Sequence, residues 1–433
     1  MSETDKPLHI AVAGLGTVGT GVIKMLTKHA SLLATRAGRK IVVKSVSARD
    51  RNRNRGMDLS SYSWCDNAVE LAGRNDVDIV VELIGGSDGP AYALAKETLS
   101  AGKSFVTANK ALIAVHGKEL AALSEKFGGT LRFEAAVAGG IPIIKALSEG
   151  MAGNDVSGFH GILNGTCNYI LTRMEQEGLS FGEVLEDAQR LGYAEADPTF
   201  DIDGIDTAHK AAILAALAFG MAPDMANLPT EGIRTIAPVD IDYARELGYR
   251  VKLLGVGRKT SAGIETRVHP AMVPLSSPLA KVMDAVNAVV VQGDFAGQTV
   301  YEGAGAGEGP TASAVVADIV DIARGNSYPA LGKPVLALQP LPTIPAENHK
   351  GTYYVRLRVD DRPGVMADIT AELAREEVSI ESMLQRGKAP GGGVYIIMTT
   401  HLTVEAAITK TLNHFTQLEC VLETPTMLRI EAF

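Results

Sequence analysis

The chain has 433 residues, 46% hydrophobic and 21% charged; at about 150 residues per domain this implies two or three globular domains and excludes disorder, a collagen-like repeat and a disulfide scaffold. Lysine and arginine number 41 against 50 aspartates and glutamates, a formal net charge of −9, which disfavours a nucleic-acid or membrane partner and favours small molecules. The three cysteines, Cys65, Cys167 and Cys420, lie far apart, with no CxxC and no histidine pair nearby, so neither a zinc site nor a disulfide framework is read from them and the compartment is expected to be reducing. The amino terminus carries two acids before a short apolar run, unlike a signal peptide, and no stretch reaches the roughly 18 apolar residues of a membrane span. The expectation is a cytoplasmic protein.

In chain order, HIAVAG reads as a strand, Val18 to His29 as a helix, KIVVKSVSA as a strand and Asn67 to Gly73 as a helix. DIVVELIG, a helix near Ala91 to Ala101, and SFVTA follow. Short Val/Ile-rich runs without polar alternation suit a parallel sheet covered on both faces, a doubly wound α/β domain. From about Gly139 long helical stretches such as SFGEVLEDAQRLG and TAHKAAILAALAFG precede the strand-like YRVKLLGVGRK, ETRVHPAMV and AVVVQG, an α+β pattern. TASAVVADIVDIAR reads as one more amphipathic helix. Five prolines between Pro329 and Pro345 then predict an extended linker. Beyond it, YYVRLRV, a helix from Gly364 to Glu376, SIESMLQR, VYIIMTTH, a helix from Thr403 to Phe415 and PTMLRIEA give a β-α-β-β-α-β unit of ferredoxin-like order.

Gly14-Leu-Gly16-Thr-Val-Gly19 is a GxGxxG directly after a strand and at the start of a helix. Gly14 permits the tight turn, Gly16 admits a pyrophosphate against the backbone, and Gly19 lets the helix pack on the strand, with free helical N–H groups facing the anion. After the second strand come Arg49, Asp50, Arg51, Arg53 and Arg55. The arginines suit a ribose 2′-phosphate and so NADP; Asp50 suits a free 2′-hydroxyl and so NAD; a solvated basic loop would look the same. Asp206 and Lys210 stand one helical turn apart before the uncharged run AAILAALAFGMA. A lysine at the polar end of a wholly buried helix is desolvated and able to exchange a proton near neutrality. Upstream, Glu195, Asp197, Asp201 and Asp203 crowd one loop, either a solvated turn or a cradle for an ammonium group. Lys110 follows the strand SFV in a loop, Glu134 follows another strand, and Tyr301 to Thr311 is a glycine-rich loop suited to close backbone approach.

GLGTVG, VTANKALIA, FEAAVAGGIPI, GILNGTCNYIL, GYAEADPTFDIDGIDTAHKAAILA and YEGAGAGEGPTASAVVADI, in this order, resemble homoserine dehydrogenases over essentially the whole chain. The resemblance implies reversible NAD(P)-dependent interconversion of L-homoserine and L-aspartate 4-semialdehyde in threonine and methionine biosynthesis. It implies that Lys210 is the proton donor or acceptor and that Lys110 contacts cofactor and substrate. Glu195 and Asp206 would hold the amino-acid head, with Asp201 adding negative charge. Gly14, Gly16, Thr17, Val18, Gly19, Arg49, Arg51, Lys110, Gly192 and Gly307 would line the cofactor. Glu134 and the carbonyls of Val137, Gly139 and Ile141 would ligate a monovalent cation, Na or K, which takes oxygen ligands. Cys167 stands where the family often has threonine.

The tail, with Asp361-Arg-Pro363-Gly364-Val365, resembles an ACT domain, and its resemblance implies feedback by threonine. The expected fold is therefore a Rossmann-type doubly wound domain over residues 1–138, completed by 311–335, an α+β substrate and dimerisation domain over 139–310, a linker over 336–350 and a ferredoxin-like ACT domain over 351–433. The ACT tail and the apolar face of AVVADIVDIAR point to a homodimer or homotetramer. Two other functions share parts of the pattern. A semialdehyde dehydrogenase would use a thiolate at Cys167, for which no partner histidine is evident. A sensor of nucleotide and amino acid would keep both binding modules without turnover.

Overall fold

The computed structural model describes residues 6–386, 389 and 391–432; the acidic start of the chain lies outside them. The first sheet consists of β1 (Leu8–Ala13), β2 (Ile41–Ser47), β3 (Ser63–Cys65), β4 (Ile79–Glu82), β5 (Ser104–Thr107) and β6 (Leu131–Arg132). They pair in parallel in the order β3-β2-β1-β4-β5-β6. The apolar runs lack polar alternation because both faces are covered: Ile10 and Val12 of β1 enter one core, Ala11 and Ala13 the other. The first core is closed by helices Thr17–Lys28 and Glu308–Ala323, through Val22, Ile23 and Leu26 against Val315 and Ile319. The second is closed by helices Pro90–Ser100 and Lys110–Phe127. Each fully buried aliphatic side chain contributes about 1.5–3 kcal/mol, so the sheet needs both layers to form. The apolar face of AVVADIVDIAR, read from sequence as an oligomer surface, is thus covered within the chain.

The second sheet adds β7 (Val156–Ile162), β8 (Tyr249–Thr260), β9 (Gly263–Pro274), β10 (Val286–Gly293) and β11 (Gly297–Ala304). Helix Ile205–Phe219 packs beneath β7, β8 and β9. The tail contributes β12 (Lys350–Val359), β13 (Ile380–Arg386), β14 (Val394–Thr400), the short β15 (Thr403–Val404) and β16 (Thr426–Ile430), with helices Val365–Arg375 and Glu405–Phe415. These strands and helices follow the expected β-α-β-β-α-β order. The two parts share one sheet, β11-β10-β7-β8-β9-β16-β12-β14-β13, because β16 pairs in parallel with β9 at Arg429 with Ala271 and Ile430 with Met272.

This union departs from a tail held on a free tether. The proline segment is extended, but Ile264 N donates to Pro342 O and Ile344 N to Ile264 O, both at 2.9 Å, and Gln339 N donates to Gly220 O. Beneath it lies a charged seam. Glu431 is bound by Arg267 and Arg258, and Arg429 ties Glu405 of the tail to Glu231 of the preceding part. Arg356 and Tyr354 both donate to Asp240. Composition gave no sign of this seam, since arginines and acids on separate strands read as solvated charge.

Candidate active site

The turn after β1 has the geometry its glycines predict. Gly14 has φ +98°, and a Cβ there would stand 2.3 Å from Leu83 O; one at Gly19 would stand 1.9 Å from Gly14 O; one at Gly16 would meet nothing within 4 Å. Thr17 and Val18 open the helix. The turn faces a cavity of about 700 Å³ at the carboxyl edge of the sheet, also lined by Arg49, Asp50, Arg53 and Gly85. Arg55 is turned inward to Leu15 O at 3.2 Å, fixing the basic loop against the glycine turn. Arg51 is not among the residues that line the cavity, and its guanidinium, like that of Arg55, stands 5.7 Å from the Trp64 ring. Asp50 accepts Asn52 N within its own turn at 2.8 Å.

Lys110 is not a loop residue as expected: it is the first residue of helix Lys110–Phe127, capped by Asn109, whose Oδ1 accepts Leu112 N at 3.1 Å. The asparagine cap followed by Leu112, Ile113, Leu120 and Ala121 was a readable helix signal. The cap places the Lys110 Nζ 2.6 Å from Asp206 Oδ1 and 5.3 Å from the Phe200 ring centre. From the other side, Lys210 Nζ donates to Asp206 Oδ2 at 2.7 Å and to Leu163 O at 2.6 Å. Two lysines on elements of different domains therefore meet on one buried carboxylate. Burial opposes charge on Asp206, but the Lys210 and Lys110 ammoniums outweigh it and hold the carboxyl far below its usual range. Burial pushes the Lys210 amine down despite Asp206.

Asn164, at the end of β7, is a site residue that sequence reading missed. Its Nδ2 donates to Asp206 Oδ2 at 2.9 Å and to Asp201 Oδ1 at 2.8 Å, while its Oδ1 caps helix Gly165–Glu177 through Cys167 N. The signal was its position between a strand and a helix, read only as part of a motif. Burial and then the Asp206 charge raise the Asp201 carboxyl above its ordinary value.

Asp203 pairs with Arg234, Asp197 accepts Thr199 N, and Glu195 is exposed on the loop that begins at Gly192, where φ is +80°. Cys167 is buried, its Sγ 3.2 Å from Asp201 O, and burial pushes its thiol well above the usual range; a thiolate nucleophile is disfavoured there. Gly307, with φ +114°, precedes helix Glu308–Ala323.

Glu134 is buried, its two carboxylate oxygens accepting Ile144 N and Lys145 N, each at 2.9 Å. The Ile141 carbonyl accepts Ile143 N. Asp318 lies beside Glu134, its Oδ2 accepting Glu134 N and its Oδ1 3.5 Å from the Lys145 Nζ. Among the described residues no cluster of three or more histidines, cysteines or acids suits a metal ion.

A glycine-turn crevice at the carboxyl edge of the first sheet, in a domain whose Lys110 meets the buried Lys210 on Asp206, suits the removal of a hydride and a proton from one alcohol: the class is that of NAD(P)-dependent dehydrogenases. Family models described as "Homoserine dehydrogenase" and "Homoserine dehydrogenase, NAD binding domain" match residues 142–320 and 14–134, and one for the ACT domain matches 353–419. A homoserine dehydrogenase of Neisseria gonorrhoeae is 46% identical, with 99% of each chain covered. The crystal structure of one from Thiobacillus denitrificans superposes with a TM-score of 0.93 at 45% identity, over 98% of each chain. A hyperthermophilic archaeal homoserine dehydrogenase in complex with NADPH has a TM-score of 0.65 at 25% identity, covering 75% of this chain and 100% of its own. The chain belongs to the homoserine dehydrogenase family. It is an NAD(P)-dependent oxidoreductase of amino-acid biosynthesis that interconverts L-homoserine and L-aspartate 4-semialdehyde, with an ACT domain at its carboxyl end. No described helix is long and apolar enough to cross a membrane.

Proposed function

We propose that Lys210 exchanges the substrate hydroxyl proton while Lys110, anchored on the same Asp206, fixes the reacting end of substrate and cofactor. To act as the base Lys210 gives up its third proton, and the amine then has two hydrogens and one lone pair. Leu163 O and Asp206 Oδ2 take the two hydrogens, leaving the lone pair to accept the proton from homoserine. When bound, the nicotinamide cofactor would supply the hydride acceptor for the carbon that bears this hydroxyl. The ammonium head of homoserine lies toward Asp201 and Glu195, with Asp206 completing the negative charge. The observation that carries this reading is the convergence of both lysines on Asp206. It is tested by Lys210→Ala: turnover falls by a factor of about 10² to 10⁴ with cofactor binding retained, and near-native turnover refutes the assignment.

The cofactor proposed is NADP, held by Gly14, Gly16, Thr17, Val18 and Gly19, with Arg49 and Arg53 at the 2′-phosphate and Gly192 and Gly307 toward the nicotinamide. The NADPH complex of the archaeal relative supports it. A monovalent cation, Na or K, is proposed at Glu134 with the carbonyls of Val137, Gly139 and Ile141. The residues fit such an ion: all donors are oxygen, the Lys145 ammonium pairs with Asp321 and stands 3.5 Å from Asp318 Oδ1, which has no hydrogen-bond partner, and the buried Glu134 carboxylate has only backbone N–H donors. Thermal midpoints in NaCl, KCl and choline chloride at equal ionic strength test this.

Threonine is proposed as the ACT effector. Arg429 spans the two parts, and Glu231, which it binds, belongs to a loop whose Ile233 N donates to Ile202 O at 2.9 Å, next to Asp201. An effector that shifts the tail thus has a packed route to the acidic end of the site. Residues 1–138 with 311–335, 139–310 and 351–433 are proposed as the functional units, with 336–350 as a pinned strap. The unpaired edges β11 and β13 of the long sheet favour a homodimer or homotetramer.

A further inference from the structure

β4 ends in a carboxylate that the reaction does not use. Glu82 is fully buried at the carboxyl edge of the first sheet, level with Ala13 of β1 and Thr107 of β5. It sits where strand order reverses, the point at which nucleotides bind. Its Oε1 accepts Ile84 N at 2.6 Å and Gly85 N at 2.9 Å, and its Oε2 accepts the Thr107 hydroxyl at 2.6 Å. Every one of these donors is neutral. Hiding a carboxyl without a cation is costly unless its lone pairs are filled, and here three donors fill them.

The bonds continue into a closed ring. Thr107 Oγ1 accepts Asn109 N at 2.9 Å, and Asn109 Nδ2 donates to Gly86 O at 2.7 Å. Gly85 and Gly86 both lie at positive φ, +87° and +86°, so the loop takes a shape that no side chain at those positions would hold without strain. One side of the ring is this loop, whose Leu83, Ile84 and Gly85 line the cofactor cavity and whose Leu83 carbonyl abuts Gly14. The other side is the cap from which Lys110 reaches Asp206.

We propose that Glu82 is a positioning residue for hydride transfer, locking the cofactor-facing loop and the Lys110 helix into one rigid unit through Thr107 and Asn109. The inference rests on the roles proposed above for the cavity and Lys110. Its chemistry is acceptance of hydrogen bonds, and a glutamine keeps both links of the ring: the amide oxygen accepts the two backbone N–H groups, and the amide nitrogen reverses the third bond by donating to Thr107 Oγ1, at the loss of an acceptor for the Thr107 hydroxyl hydrogen alone. An alanine leaves two backbone donors buried and both sides of the ring free to move. Threonine at 107 links only the Lys110 side directly, so its loss separates the two effects.

The test is steady-state kinetics in both cofactor and homoserine on Glu82→Ala, Glu82→Gln, Thr107→Val and Lys110→Ala, with thermal midpoints measured alongside. Glu82→Ala is expected to raise the cofactor KM and lower kcat, each roughly tenfold or more, the scale at which small misplacements of reacting groups act. Glu82→Gln should stay within about threefold of the parent in both constants, and Thr107→Val should lower kcat with little change in cofactor KM. A folded Glu82→Ala enzyme with native constants overturns the proposal, as does a folded Glu82→Gln enzyme as impaired as the alanine form. If Glu82→Ala does not fold, native kcat in Thr107→Val overturns it and a selective kcat loss supports it. Native activity in Lys110→Ala would instead overturn the lysine assignment beneath it.

Discussion

Asn164 shows how one neutral side chain sets the charge balance of the site. Its amide separates Asp201 from Asp206 while donating to both, so two carboxyls of opposite tendency coexist: Asp206 held down by lysines, Asp201 pushed up by burial. Asn164→Ala removes that donor from both acids and the cap from helix Gly165–Glu177. The expected outcome is a rise in homoserine KM and a fall in kcat of roughly ten- to hundredfold, with cofactor KM little changed, read by initial rates in each substrate. The basic loop offers a second test at this scale. Arg49 and Arg53 line the cavity and Arg51 does not, so Arg49→Ala with Arg53→Ala should lower the ratio of kcat/KM for NADP over NAD by about tenfold or more, an arginine–phosphate pair being strong and bidentate. Arg51→Ala should change the ratio less; the reverse ranking would return the 2′-phosphate to Arg51.

At the scale of elements, β8 and helix Gly165–Glu177 are joined by a buried lysine outside the catalytic cluster. Lys252 Nζ donates to Asn168 Oδ1 at 2.8 Å and to the Val282 carbonyl, and Asn168 donates to the carbonyls of Val282 and Val286. Burial, with Arg250 adding to it and Glu175 and Asp284 opposing, pushes the Lys252 amine down to about 7. An unfolded lysine titrates near 10.4, so above pH 7 the unfolded chain holds a proton that the folded chain has released. Stability from this group therefore rises with pH from about 7 toward 10. Lys252→Met should flatten the dependence of unfolding free energy on pH in that window by up to about 1.4 kcal/mol per unit. Urea titrations of both proteins at pH 7, 8 and 9 measure it, and parallel slopes would contradict the shifted amine. Helix Lys110–Phe127 carries its own start signal, the Asn109 cap and the apolar spacing of Leu112, Ile113, Leu120 and Ala121.

Across the whole molecule, the tail is part of the catalytic sheet. A chain ending at Pro345 would expose the edge of β9, leave Arg267 without Glu431 and leave Asp240 without Arg356 and Tyr354. The archaeal protein named a homoserine dehydrogenase matches 75% of this chain over 100% of its own. Truncation is thus expected to retain hydride transfer, lower the thermal midpoint and abolish any response to threonine. Absorbance of reduced nicotinamide with and without threonine, together with a thermal scan, checks all three. Equal threonine inhibition of both proteins would place the effector in the active site, and an unchanged midpoint would mean that the charged seam adds no net stability, as buried ion pairs sometimes do not.

Short-range physics makes much of this molecule legible before any coordinates. The glycine turn, the two-sided apolar strands, the helix of Lys210 and the order of the tail's elements depend on residues within a turn or two of one another, and family motifs carried the activity. That Lys110 and Lys210 share Asp206, that Asn164 links the two acids and that β16 joins β9 became visible in three dimensions alone. Each of these is a meeting of groups distant in the chain. Hydrophobic periodicity says which face of an element is buried, but the partner of a polar group at the end of that element is chosen by how the layers stack, and a local pattern holds no record of that choice.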